Sequence, residues 1–328
     1  MSRTLTAAPV GYFGKIPSRG DFVKGGANPA LIKVLDDWLA QAMDLMSSDA
    51  RWKLQYDAVA PLYFAFMGPR RRQAIAGYIV ASSDQSQRRY PFLTVTSVDV
   101  ADPAPFVPNA PLVLSRLWRH LETASSSVTS APEPTEALQS AAAQSIDVDL
   151  QASAYDAAFE DFLALNTVGS LDQMLAQSGY VGAVRQVLLA LGLLLQPVMV
   201  SSSSRLDKSL VLPLPNDPMY RNLVAAFWMH LITPFLARAD FELALFITRL
   251  AQRPALVLGF SGASAATLRA IMDSQAGLDR HIDFDELEWV EPQVDADYAI
   301  KKLSTYLAQP TLSLTAACSS LHAAFLGT

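Results

Sequence analysis

The sequence contains one cysteine, Cys318, in 328 residues. This excludes an internal disulfide framework and any cysteine cage for zinc or an iron–sulfur cluster, and it fits a reducing compartment. Charge is scarce too: 17% of residues are charged and 51% are hydrophobic, which excludes a largely disordered chain. Glycine (15) and proline (20) follow no period, so the chain is not collagen-like. No apolar run is long enough to span a bilayer. The densest stretch, Val181–Val200, is interrupted by Arg185 and Gln186, and only Val187–Leu195 is unbroken. No basic region followed by an apolar run opens the sequence, so no secretory signal is expected. These absences describe a soluble intracellular protein, and the length predicts about two domains.

Catalytic and metal-binding motifs are also missing. Gly14-Lys15 is followed by Ile16, where a phosphate loop needs Ser or Thr. Gly259-Phe260-Ser261-Gly262 falls one residue short of a nucleophile elbow, because position 263 is alanine. It reads as a turn in which Gly262 allows close backbone approach or a left-handed conformation. His120, His230, His281 and His322 show no zinc-helix spacing, and His230, between Phe227 and Leu231, reads as a packed histidine. The acidic tract Asp283–Asp297 lacks the central glycine and ligand spacing of an EF-hand. It reads as a solvated loop in which Asp295 caps the next helix, with an acidic docking surface as the alternative. No catalytic residue, metal site or cofactor is expected.

The net charge of −6 is unevenly spread. Residues 1–127 hold 14 Lys/Arg against 10 Asp/Glu, net +4, and the remainder is net −10. Nucleic-acid binding is not expected of a net acidic chain, since phosphate contacts must supply most of that affinity. Arg70-Arg71-Arg72 and Arg88-Arg89 lie in successive links of a strand meander, at opposite ends of a sheet, and form no single basic patch. The asymmetry could steer a protein partner, or the two halves could partly neutralise each other.

Periodicity predicts a strand around Val10–Phe13, a loop through Phe22, and a helix begun by Asn28-Pro29 with a stripe Leu31, Leu35, Trp38, Leu39, Ala42, Met43, Met46. A short helix is expected over Arg51–Asp57. Strands over Leu62–Met67, Ala74–Ser82 and Phe92–Val100 with short links predict an antiparallel meander, and Pro111 is expected to open a helix. Ser125 to about Ser153 reads as a linker or insertion, interrupted by a short helix near Glu136–Gln144. Later helices are expected at Tyr155–Leu165, Ser170–Gln177, Val181–Leu195, Pro218–Leu236 (bending or ending at Pro234), Ala263–Asp273, Ala296–Leu307 and Leu314–Phe325. Strands are expected at Pro197–Ser202, Ser209–Leu214, Phe241–Thr248 and Ala255–Phe260. The expected fold is mixed α/β, an αβα-type sandwich. The expected partition is an N-terminal α/β domain at 1–127, a linker or insertion at 128–152 and a C-terminal α/β region at 153–328.

The loop Lys15–Lys24 is the most unusual local feature. Lys15, Arg19 and Lys24 surround Asp21, with Pro17 and Gly20 fixing turns. Two roles fit: Asp21 satisfies turn donors while Arg19 pairs with a carboxylate elsewhere, or Arg19 faces a partner.

The string Gly11-Tyr12-Phe13-Gly14-Lys15-Ile16-Pro17-Ser18-Arg19-Gly20-Asp21-Phe22 closely resembles the opening of the TagF (ImpM) family of type VI secretion accessory proteins. Asp36-Asp37-Trp38-Leu39, Arg89-Tyr90-Pro91-Phe92-Leu93 (with the family's usual Phe-Pro order exchanged) and the turn Leu256–Ala263 resemble the family as well. The resemblance implies an α/β sandwich and a cytoplasmic, non-enzymatic regulator. It would act as a post-translational repressor by protein–protein binding, in the pathway of the forkhead-associated scaffold protein. Tyr12, Phe13, Lys15, Arg19, Asp21 and Phe22 are the candidate partner-binding residues. The other readings are a structural, baseplate-associated component and a hydrolase using Ser261.

Overall fold

The computed structural model describes residues 5–26, 28–200, 206–237 and 239–327. In chain order β1 (Leu5–Pro9), β2 (Gly11–Gly14) and β3 (Val23–Gly25) lead into α1 (Pro29–Ser47) and α2 (Trp52–Asp57). Then come β4 (Leu62–Met67), β5 (Gln73–Val80), β6 (Phe92–Asp99), α3 (Pro103–Val113), α4 (Ser115–Thr129), α5 (Thr135–Ala143) and β7 (Ser145–Asp149). The second half contributes α6 (Asp156–Leu165), α7 (Val168–Ala176), α8 (Val184–Val200), β8 (Ser209–Pro213), α9 (Pro218–Leu236), β9 (Leu243–Leu250) and β10 (Arg253–Gly259). It ends with α10 (Ala265–Met272), α11 (Ser274–Arg280), β11 (His281–Asp283), α12 (Val290–Ala296), α13 (Tyr298–Leu307) and α14 (Leu314–Leu326).

Nine strands form one sheet in the order β11-β8-β10-β9-β4-β5-β6-β2-β3. The β11–β8 pair is parallel and the others are antiparallel. Strand alternation explains the layering. In β9, Leu243, Leu245 and Ile247 join one core while Ala244 and Phe246 join the other. The first core takes in Trp118 of α4, Leu188 of α8 and Phe227 of α9, and the second takes in Trp38 of α1 and Leu268 of α10. A period of two therefore sorts the apolar side chains onto two faces, each covered by helices. The result is the mixed αβα sandwich, with the β4–β5–β6 meander in register as expected. Both edge strands, β3 and β11, have three residues; short edges give little template for unwanted pairing.

The N-terminal and C-terminal strands meet at the β4–β9 pairing, Tyr63↔Ile247 to Met67↔Leu243. Around that seam Trp38, Phe64, Phe66 and Phe246 pack ring against ring. Residues 128–152 are built largely of secondary structure: α4 runs to Thr129, α5 follows, and β7 pairs antiparallel with β1.

Several expectations are corrected. Pro111 lies inside α3, which carries Pro108 as well. This helix persists because Phe106, Val107, Ala110 and Val113 are buried and it packs along α9, so tertiary burial overrides the loss of helical donors. Pro197–Val200 continues α8 rather than forming a strand; the Ser201–Ser202 part of that expectation lies outside the described residues. α9 keeps its expected limits, passing Pro234 and ending two residues later. The helix α13 is capped by Asp297, whose carboxylate accepts from the Ala299 and Ile300 N–H groups. Asp295 instead sits in α12 and pairs with Lys301. Asn28 caps α1 as expected, accepting from Leu31 N.

Phe246 is fully buried at the seam. Phe246→Ala is expected to cost about 3–5 kcal/mol. The loss should appear as one lowered cooperative transition by both circular dichroism and tryptophan fluorescence, with Trp38 and Trp228 reporting from opposite faces.

Candidate functional site

The segments that carry the family resemblance in the first hundred residues converge at one corner of the sheet. β2 lies between β6 and β3, with Phe13 opposite Leu93 and Gly14 opposite Phe92. Tyr12 and Phe13 are therefore buried. They are core residues that hold the corner from beneath, and neither presents a surface to a partner. Gly14 has φ +133°, and a Cβ there would stand 2.0 Å from the Pro91 carbonyl oxygen. Only glycine lets the chain leave the strand so close to Pro91.

Lys15 is buried as well, and its ammonium lies 3.0 Å from Asp84 Oδ2. Asp84 is completely buried. Its Oδ1 accepts from the Ser86 and Arg88 N–H groups, both at 2.9 Å, and its Oδ2 also accepts from Arg88 Nε at 2.7 Å. Burial pushes the Asp84 carboxyl up. The Arg88 N–H, the Lys15 and Arg88 side-chain hydrogen bonds and the Lys15 charge together outweigh that and hold it well below the usual carboxylate range. Two further bonds tie the loops together: Gln85 N donates to Arg19 O at 2.9 Å and Arg88 Nη2 to Gly20 O at 2.6 Å.

Around this ion pair stands an aromatic group. The Phe22 ring stacks on Phe13 at 5.5 Å and meets the edge of Tyr90 at 4.8 Å, and the Lys15 ammonium lies 5.0 Å from its centroid. Phe22 nevertheless remains 44% exposed. Tyr90 is anchored to Asp36 Oδ1 of α1 at 3.2 Å, and burial with the Asp36 charge pushes its phenol up. Behind it, Tyr56 of α2 exchanges hydrogen bonds with the Ser82 N–H and carbonyl, and Asp57 receives both arms of Arg89.

The remaining candidates divide. Arg19 is half-buried and donates to Thr135 Oγ1 of α5 at 2.7 Å, a hydroxyl where a carboxylate was envisaged. Asp21 is exposed and accepts from the Phe22 N–H, so it serves its own turn. Ser261, far along the sheet in β10's exit turn, donates to the Leu206 carbonyl; among the described residues no histidine or lysine is bonded to it. Gly262 takes φ +58° as expected. His230 stacks 4.4 Å from Phe159 and contacts Asn109 Oδ1, and burial pushes it down to about 4. Among the described residues no group of three His, Cys, Asp or Glu is placed to hold a metal ion, and no helix is long and apolar enough to cross a membrane.

Sequence reasoning missed Asp84, Tyr56 and Asp57. The available signal for Asp84 was a turn-forming Asp with Arg88 four residues on, in the link between two predicted strands. Nothing local announced its pairing with Lys15.

The geometry defines an α/β sandwich domain that holds a rigid loop and one exposed ring at a sheet corner. Residues 11–145 match the TagF N-terminal domain, which is type VI secretion system-associated. The resemblance read from Gly11–Phe22 is borne out over that stretch, which matches a type VI secretion-associated domain. The crystal structure of PA0076 from Pseudomonas aeruginosa PAO1 is similar at 27% identity, covering 41% of this chain, with a TM-score of 0.34. The similarity takes in 61% of that protein, less than two thirds of its length. No curated protein matches the chain.

Gly14→Ala is expected to destabilise by more than about 3 kcal/mol, from backbone strain and the clash with Pro91, measured by urea unfolding. The Asp84 contribution has a definite pH sign. Its folded pKa is lowered, so its stabilisation is complete above the unfolded carboxylate value of about 3.9. It is lost as pH falls below that toward the folded value. The difference in unfolding midpoint between wild type and Asp84→Asn should be the same at pH 7 and pH 5.5 and should shrink at pH 3.

Proposed function

We propose that this protein is a non-enzymatic, cytoplasmic regulator of the type VI secretion system. It acts as a post-translational repressor by binding a protein of the forkhead-associated scaffold pathway. Support comes from the match to a type VI secretion-associated domain and from one observation above all, the exposed Phe22 ring fixed in place by Phe13, Tyr90 and Lys15. An aromatic side chain immobilised before binding loses little rotamer entropy on association, and such rings are common anchors at interfaces. Arg88, with a side chain 62% exposed and bonded to the Gly20 carbonyl, and Asp21, which precedes Phe22, supply polar surface at the same corner for specificity. The candidate contact set thereby shifts outward to Phe22, Asp21, Arg19 and Arg88, with Tyr12, Phe13 and Lys15 as its support.

Phe22→Asp is expected to abolish capture of the forkhead-associated scaffold protein by tagged protein, with a melting temperature close to that of wild type. Overproduction of wild type should lower secretion and overproduction of Phe22→Asp should not. Retained capture by a folded Phe22→Asp would refute the docking surface, and secretion unchanged by soluble wild-type protein would refute repression. Co-purification with baseplate at fixed stoichiometry would instead favour a structural component.

A further inference from the structure

A cavity of about 600 Å³ lies over the β8–β10–β9 part of the sheet, between α2 on one side and α10–α11 on the other. That size falls within the range of small-molecule sites, a few hundred to about a thousand Å³. Its walls include Val59, Val211, Leu250 and Ile271. Two further lining residues, Leu54 of α2 and Leu278 of α11, are 74% and 68% exposed. Leucines this exposed beside a concave apolar surface leave that surface uncovered in water, the usual mark of a binding groove.

The polar groups of the lining are few and unequal. Arg253 is paired with Asp285 and feels the Asp283 charge as well. Arg249 donates to Asn216 Oδ1 and the Gln252 carbonyl, and among the described residues no carboxylate lies within ion-pair distance of it. Asp285 is thus already engaged with one arginine, and the second has no carboxylate partner among the described residues. Gln55 Oε1 and both ring nitrogens of His281, on lining residues, are buried without a hydrogen bond of ordinary geometry. The β9–β10 turn, also in the lining, holds Ala251 and Gln252 at φ +46° and +66°. Such a two-residue turn normally uses Asn or Gly, and non-glycine residues there carry strain of the kind found at ligand clamps.

We propose that this cavity is a binding site for a small, largely apolar molecule bearing one anionic group, its body between α2 and α11 and its anion at the β9–β10 turn, where Arg249, leaving β9 on the face opposite Leu250, donates to the Gln252 carbonyl. The position of α2 gives the site a further consequence. This helix lines the cavity with Leu54 and Gln55, while its Tyr56 and Asp57 grip Ser82 and Arg89. A ligand that restrains α2 also restrains the 82–90 segment that buries Asp84. The site stands apart from the docking reading, because no partner enters its test.

The test uses 1-anilinonaphthalene-8-sulfonate as an apolar anion and N-phenyl-1-naphthylamine as its uncharged counterpart, each titrated by fluorescence against the folded full chain. The sulfonate is expected to saturate one site per chain and to bind at least about tenfold more tightly than the uncharged probe, the scale of one charge-assisted hydrogen bond. Arg249→Ala should remove that difference. Ala58→Trp, an exposed lining position, should block both probes, and Leu278→Asp, also at an exposed position, should weaken both. Hydrogen exchange with the sulfonate bound should slow in α2 and at 82–90. Unsaturable binding, or binding indifferent to both Ala58→Trp and Leu278→Asp, would overturn the site. Equal binding of the two probes would overturn the anionic ligand, and unchanged exchange at 82–90 would overturn the link through α2.

Discussion

A buried carboxylate organises the N-terminal corner of this protein. Asp84 has no exposed surface and needs every one of its donors, because an ionised carboxyl out of water is tolerated only when paired and fully hydrogen-bonded. Two of the donors are backbone N–H groups of its own turn, which fix the turn, and two are the side chains of Arg88 and Lys15. Lys15 lies at the end of β2 and Asp84 in the link between β5 and β6, so satisfying the charge also sets the path of both loops. The exposed Phe22 ring rests on that arrangement, with the same lysine over its face.

The sheet beneath makes the corner rigid. β2 is hydrogen-bonded on both sides, and the meander continues through the β4–β9 seam into strands from the second half of the chain. Each face is closed by helices over its own apolar set, so loop positions at the β6–β2–β3 end are referred to one packed body. The small helix α2 lies where this body meets two features of functional interest. Tyr56 and Asp57 hold the 82–90 segment, and Leu54 and Gln55 border the cavity over β8–β10–β9.

The local elements were legible where a single interaction range decided them. Asn28-Pro29 and the stripe through Trp38 announced α1, since capping and a 3.6-residue period act within one helix. The limits of β4 and the antiparallel meander followed from apolar runs with short links. Reading failed where distant burial overrode local chemistry: prolines 108 and 111 lie within α3 because that helix packs on α9, and Pro197 lies within α8. The loop after β2 stands out in the sequence, but which of the six candidate residues reach the surface does not. Tyr12 and Phe13 look like surface residues in a glycine-flanked string, yet two-sided strand pairing buries them, and the ring left exposed is that of Phe22.

The amino-acid sequence by itself determined the mixed α/β class, the N-terminal strands and helix, and the string Gly11–Phe22 that matches a TagF N-terminal domain. Those follow from periodicity, caps and residue identity along a short stretch of chain. Only the tertiary structure decided that Lys15 is neutralised by Asp84, that both halves share one sheet, and that α2 connects a cavity to the corner. Each depends on groups tens to hundreds of residues apart, brought together by burial of two apolar faces, and no local pattern encodes that distance.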